Sequence, residues 1–280
     1  MVTGAHTDGG AILHPRSAPF LVDRFPPSAH VGRFVDHYWL VRWQLDHGEE
    51  RRQLVLSHPT VNLSITGETH RVVGPTIGVV ERHLAGSGWT FGVMFRPAGF
   101  WPLLRRSLAA MANKELALTD VLPAAAEAIA NAGTVAAREN EAATMDATLA
   151  PSFPSSSVPS EATTQLAELA RRDRRIVRVE QLALASDLSI RTLERRFSAH
   201  VGLSPKKVIQ RYRLQEVAER ARRADVNWAS IATELGYADQ AHLIRDFRAV
   251  TGEAPANYSR AETLAPAPPN SRPPGSEGRP

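Results

Sequence analysis

Along residues 38–45, YWLVRWQL, Trp39, Val41, Trp43 and Leu45 fall on one side of an extended chain. Tyr38, Leu40, Arg42 and Gln44 fall on the other. A period of two predicts a β-strand. VNLSITG (61–67) repeats the pattern, with Val61, Leu63 and Ile65 on one face before a glycine turn, and WTFGVMF (89–95) is a third strand. Past residue 100 the period changes. FWPLLRRSLAAM and TDVLPAAAEAIANAG read as helices, the second with Thr119 or Asp120 as N-cap. Strands followed by helices predict an α+β domain, β-rich at its start.

The last hundred residues read as helix almost throughout. TTQLAELARRD places Leu166 and Leu169 on one face, and VEQLALAS stops at Asp187-Leu188. Ser189 then caps IRTLERRFSAH by accepting an orphan backbone N–H. The next helix opens with Ser204 as N-cap and Pro205 at the first helical position, where a missing N–H costs nothing. It is expected to run from Ser204 to Ala224 with Val208, Tyr212, Val217 and Ala221 as its buried stripe. WASIATEL ends at Gly236, DQAHLIRDFRAVTG follows, and a last turn lies near Pro255 to Arg260.

Two stretches lack any such pattern. PSFPSSSVPS (151–160) is eight-tenths Pro and Ser and reads as an unstructured linker. The Pro-rich tail cannot supply a core. The expected organisation is an α+β domain over 15–145, a Pro/Ser linker over 146–160, an all-α domain over 161–262 and a disordered tail over 263–280. A length of 280 residues agrees with two domains.

Composition then narrows the chemistry. With no cysteine, disulfides, thiolate metal sites and cysteine nucleophiles are excluded, and a reducing compartment is expected. The N-terminus lacks the basic start and apolar core of a signal peptide, and no apolar run approaches the ~18 residues of a membrane span. A cytoplasmic, nucleoid-associated protein without membrane contact is the expectation. The net charge is +4, and residues 161–260 hold 18 Lys/Arg against 13 Asp/Glu, so the positive excess lies in the helical part. A basic domain beside a neutral one points to a polyanion.

The helical part also repeats itself. LERRFSAHVGLSP (193–205) returns fifty positions later as LIRDFRAVTGEAP (243–255), with Leu193/Leu243, Arg195/Arg245, Phe197/Phe247, Ala199/Ala249, Gly202/Gly252 and Pro205/Pro255 in register. Each copy is a short helix, a tight turn and a second helix, with Ala183 or Ala232 ahead of the turn. This is a helix-turn-helix arrangement, and it occurs twice. In the first copy Leu193 and Phe197 face inward, leaving Arg191, Thr192, Glu194 and Arg195 outside. In the second Leu243 and Phe247 face inward, leaving Gln240, Ala241, Ile244, Arg245 and Arg248. Arg pairs with guanine, Gln with adenine, Glu accepts from cytosine, and small apolar groups meet the thymine methyl. Both free faces therefore carry groove-reading chemistry.

SIRTLERRFSAHVGLSP, RLQEVAERARRA and SIATELGYADQAHLIRDFRAVTGEAPANYSR together resemble the DNA-binding domain of AraC/XylS-type transcriptional regulators over about residues 165–260. The resemblance implies seven helices, two reading helices joined by the long helix, and two adjacent major-groove segments. Carried over by motif, Arg191, Glu194 and Arg195, with Thr192 beside them, meet bases from the first reading helix. Gln240, Ala241, Ile244 and Arg245 do so from the second. Ser189, Lys206, Lys207 and Arg248 are phosphate candidates, whereas Asp246 is expected to be a structural partner. FVDHYWLVRW, VVGPT and FGVMFRPAGFWPLL resemble the poorly characterised domain that often precedes an AraC-type domain, where it is taken to sense a ligand or mediate pairing. Arg96 in FRPAGF either holds an anionic effector or fixes a strand-to-helix junction through backbone carbonyls. The structural role is the favoured one.

The implied function is sequence-specific regulation of transcription, with double-stranded DNA as partner. RNA polymerase, a small-molecule effector and a second copy of the chain are candidate partners, and no cofactor is expected. Two classes of alternative compete, an enzyme and a non-specific nucleic-acid binder. A cupin-like enzyme domain fused to a DNA-binding domain would need metal ligands, but His14, His30, His37, His47, His58, His70 and His83 are scattered. His37 and His58 could approach each other, but two histidines do not make a metal site. A methyl-accepting repair protein would need a cysteine. A non-specific nucleic-acid binder would need aromatic platforms and denser basic runs than ARRDRR (170–175).

Overall fold

A computed structural model describes residues 20–221 and 226–264. The N-terminal half holds strands β1 (Phe20–Phe25), β2 (Val35–Gln44), β3 (Glu50–Leu56), β4 (Asn62–Thr66), β5 (Thr69–Val73), β6 (Val79–Ala85), β7 (Ser87–Phe95) and β8 (Glu115–Ala117). Six of them form one antiparallel sheet in the order β1-β2-β7-β4-β5-β8, and β3 pairs with β6 in a separate ribbon. Alternation decides the two faces of the large sheet. Tyr38, Leu40, Leu63, Ile65, Phe91 and Val93 are at most 1% exposed and belong to the main core, together with Ile129, Ala132 and Ala136. Trp39, Val41 and Trp43 point the other way, toward a cavity under the β3–β6 ribbon.

Three expectations need correction. FWPLLRRSLAAM is not one helix. α1 (Trp101–Leu104) stops where Arg105 turns left-handed at φ 52°, and a 3-10 turn over Leu108–Met111 follows, capped by Ser107. The break returns Leu108 and Met111 to the main core. TDVLPAAAEAIANAG is likewise split into α2 (Leu118–Val121) and α3 (Ala126–Glu139), and neither Thr119 nor Asp120 is a cap. Pro123 has no N–H for a continuing helix and forces Leu122 out of the helical region.

The Pro/Ser segment is not unstructured. α4 (Ala143–Leu149) runs into a 3-10 turn, Ala150–Ser152, and Phe153 is buried with its ring stacked 4.6 Å from that of Phe34. Arg33 donates to the carbonyls of Pro154, Ser155 and Ser156 at 3.0, 2.9 and 2.8 Å and grips Glu161 with both Nε and Nη2. One guanidinium fork thus satisfies carbonyls that a free linker would leave to water.

The C-terminal half contains α5 (Pro159–Arg172), α6 (Val179–Ser186), α7 (Ile190–His200), α8 (Pro205–Ala221), α9 (Trp228–Glu234), α10 (Gln240–Thr251) and α11 (Pro255–Leu264). The proposed end of the long helix at Ala224 lies outside the described residues, as does the expected tail except for residues 263 and 264, which are helical in α11. α8 is shared between two cores. Val208 and Ile209 pack with Leu182, Leu193 and Phe197, while Leu214 and Val217 pack with Ile231, Leu243 and Phe247. Arg213, 4% exposed, ties α8 to the α5–α6 connection through the carbonyls of Ala170, Asp173 and Ile176.

The halves are joined by polar and apolar contacts. Arg96 Nε donates to Gly32 O at 2.7 Å and its Nη1 pairs with Glu168 of α5, which gives it the structural role. Thr164 donates to Pro97 O. Leu56, at the end of β3, is completely buried in the core around α9 and α10.

Candidate nucleic-acid interface

Each reading helix is set by local chemistry. In the first unit Asp187 takes the left-handed conformation (φ 53°) and ends α6. Ser189 then caps α7, its Oγ accepting from Thr192 N at 3.2 Å. In the second unit Gly236 (φ 74°) makes the turn and Asp239 caps α10, accepting from His242 N at 2.7 Å. Asp239 and Asn227, which caps α9, were not singled out in the sequence, although both types are strong N-cap formers. The Gly-x-x-Pro of each repeat is a stop and a start. Gly202 and Gly252 sit at φ 86° just past the helix end, and Pro205 and Pro255 begin the next helix.

The inward residues are Leu193, Phe197, Leu243 and Phe247, each at 0% exposure. Arg191, Glu194 and Arg195 are exposed on α7, and Gln240, Ala241, Arg245 and Arg248 on α10. Among the described residues the side chains of Arg191, Arg195, Arg245 and Arg248 make no hydrogen bond or ion pair. Other arginines of the same domain do: Arg174 and Arg220 pair with Glu216, and Arg175 with Asp173. Free guanidiniums on the two repeats can take a base edge or a phosphate without first breaking an intramolecular pair.

Four candidates sit differently. Thr192 is half-buried with its hydroxyl bonded to Ser189 at 2.9 Å, so both side chains are engaged in the cap. Ile244 is half-buried against the second core. Lys206 and Lys207 are exposed in the first turn of α8, away from both reading faces in sequence. Asp246 lies 3.7 Å from His242, four residues back on α10. Two apolar residues beside the first unit escaped sequence reading: Leu184 is 86% exposed and Ile190 44%. Nothing in the apolar pattern separates them from core leucines.

His200, at the end of α7, is where this unit meets its neighbours. Its Nδ1 lies 2.8 Å from Thr163 Oγ1, and its ring packs edge-on to Trp101 with centroids 4.9 Å apart. Burial, and then the charge of Arg196, hold its pKa below the usual histidine value.

A second candidate site lies in the N-terminal half. A cavity of about 390 Å³ separates the large sheet from the β3–β6 ribbon. Trp39 stands opposite Gly92 and Trp43 opposite Gly88. A β-carbon at those glycines would lie 2.1 and 2.4 Å from the indoles, so both rings can lie across β7 and line the cavity. His37 and His58 line it too, but His37 bonds Asp36 at 2.8 Å and His58 bonds Gln215 of α8 at 3.1 Å. Among the described residues no group of three or more His, Asp or Glu could hold a metal ion, and no helix is long and apolar enough to cross a membrane.

Comparison with known proteins bears on both halves. Residues 182–261 match a helix-turn-helix domain family. They are the two units just described. The C-terminal domain is an AraC-type helix-turn-helix domain. Residues 23–117 match a domain of unknown function, DUF6597. The chain is 34% identical over 86 residues to the HTH-type transcriptional activator RhaS of Pectobacterium carotovorum, covering 29% of this chain and 31% of that protein. It is 30% identical over 86 residues to an uncharacterized HTH-type transcriptional regulator of Haemophilus influenzae, covering 31% and 29%. The chain thus spans about a third of the length of these curated relatives. ToxT from Vibrio cholerae is 9% identical, with a TM-score of 0.39 over 87% of this chain and 99% of that one.

Proposed function

We infer that this chain is a sequence-specific DNA-binding regulator of transcription and not an enzyme. The observation that carries the reading is the pair of capped helices that bury Leu and Phe and leave unpaired Arg on the opposite side. Arg191, Glu194 and Arg195 read bases from α7, and Gln240, Ala241 and Arg245 from α10. Thr192 and Ile244 contribute at the edge of those faces. Lys206, Lys207 and Arg248 hold phosphates, with Ser189 at the α7 terminus. The two sets differ, Arg191 and Glu194 against Ala241 and Ile244, so the site under one subunit is not a simple repeat. Residues 161–262 form the DNA-binding domain and the chain before them a sensor or dimerisation domain, with the 390 Å³ cavity as effector site.

The test is a footprint followed by binding titrations of Arg195→Ala and Arg245→Ala on that site. Each loses ~1–3 kcal/mol and relaxes one base pair. Equal weakening on every sequence would make them phosphate contacts. A chromatin pull-down without enriched sites would remove the reading altogether.

A further inference from the structure

The β3–β6 ribbon has two faces with different neighbours. Val55 and Val80, opposite each other, line the cavity. Leu54 and Val79, one position along, pack against the core that holds α9 and α10, and Leu56 is buried within it. A sheet of two strands is thus the whole thickness between the cavity and the second reading unit.

The loops leaving this ribbon are also held from the DNA-binding side. Arg211 of α8 donates to Ser57 O at 2.5 Å and to Ile77 O at 3.1 Å. It is 2% exposed, meets no carboxylate, and its Nη2 has no hydrogen-bond partner among the described residues. A buried guanidinium with an unmet donor stays in place only while its surroundings fix it. Small displacements of Ser57 therefore change its bonding.

We propose that the β3–β6 ribbon is a shared wall through which an occupant of the cavity acts on the second helix-turn-helix unit, and that the occupant is a flat, largely apolar ring compound. The proposal rests on the reading of the cavity as the effector site. The ring preference follows from the Trp39 and Trp43 platform, because indole faces stack on planar molecules. Transmission follows from packing. Cores resist continuous deformation, so a wall pushed from one side shifts the residues seated on the other. The first unit meets the N-terminal half mainly elsewhere, at Ala98, at the Leu108–Met111 turn that packs on α7, and at Trp101 against His200, and shares with Arg211 only the loop of Ile77.

The experiment uses the full chain with 1-anilinonaphthalene-8-sulfonate as the ring probe, read by dye fluorescence and by amide hydrogen exchange. The dye should saturate one site, protect residues 50–56 and 79–85, and alter exchange in 228–251 by about threefold or more, with less change in 190–200. Trp39→Ala should weaken the dye about tenfold. Arg211→Met, which keeps the volume, should leave dye affinity unchanged and reduce the response of 228–251. Dye binding with unchanged exchange in 228–251 overturns the shared wall and leaves the effector site standing. Glucose or decanoate displacing the dye and giving the same response overturns the ring class. Absence of dye binding overturns the effector site, and the wall with it.

Discussion

Gly236→Ala isolates two costs that the second turn avoids. The first is conformational: Gly236 sits at φ 74°, where an L-residue with a β-carbon is strained by ~1–2 kcal/mol. The second is steric. The added carbon would lie 2.6 Å from Cβ and Cγ2 of Val177 and 2.9 Å from Cγ1, in the segment leading into α6. All three are branched atoms close to the backbone, so relief requires one unit to shift against the other, an overpacking cost of ~1–3 kcal/mol. The sum is ~2–5 kcal/mol. Gly252 provides the control. It has φ 86° and nothing within 4 Å of an added carbon, so Gly252→Ala should cost only the ~1–2 kcal/mol of conformation. Urea unfolding of the two variants and of wild type separates the costs. Val177→Gly, which removes all three of those atoms, should in the Gly236→Ala background restore ~1–3 kcal/mol relative to additivity. If Gly236→Ala proves no more damaging than Gly252→Ala, the two units are not in contact at this turn and the steric reasoning is wrong.

Three further outcomes follow from the contacts described. Lys206→Ala with Lys207→Ala should weaken binding equally on all DNA and lower the log–log salt slope by roughly 2, since each phosphate contact contributes about 0.9; a slope that does not change refutes the phosphate role. Arg33→Ala frees the carbonyls of Pro154, Ser155 and Ser156, so limited proteolysis should cut within 154–157 several-fold faster than in wild type, and equal cutting rates would show that Phe153 alone holds the segment. His200 has its pKa lowered in the fold, so between that value and 6.5 the unfolded chain binds the proton first. Stability should therefore fall as pH drops through 6.5. His200→Gln should flatten that part of the curve, and an identical curve would remove His200 from the account.

The C-terminal helices were legible because several local signals agree there. Ser189 and Ser204 are caps in the sequence and in the structure, and the repeat spacing placed Leu and Phe on the buried side of both reading helices. The alternation along β2 and β4, and the presence of β7, followed from the sequence pattern, but the purpose of one face did not. Trp39 and Trp43 look like ordinary strand residues until they are seen opposite Gly92 and Gly88, a pairing that depends on register between distant segments. β3 and β6 were missed because ERRQLVL and VVERHLA mix charge and apolar groups without strict alternation. Glu50, Arg51, Arg52 and Glu81 are exposed, Arg82 is half-buried at the cavity, and the leucines and valines serve two neighbours. The Pro/Ser segment misled for a related reason. Composition describes what a stretch cannot bury by itself, whereas Arg33 and Phe34 supply its partners from more than a hundred residues away.

The shared helix α8 has a metrical consequence. Its first half is seated in one core and its second half in the other, without a joint between them. An α-helix advances about 1.5 Å and turns about 100° per residue. Adding one residue between Arg213 and Leu214 would swing the second unit relative to the first by that angle about the axis of α8, breaking the contact between Gly236 and Val177. If both helices read DNA as proposed, the distance and phase between the two sets of bases are counted out in residues of α8, and an operator matched to this chain would be out of step with a sibling whose connecting helix is one residue longer.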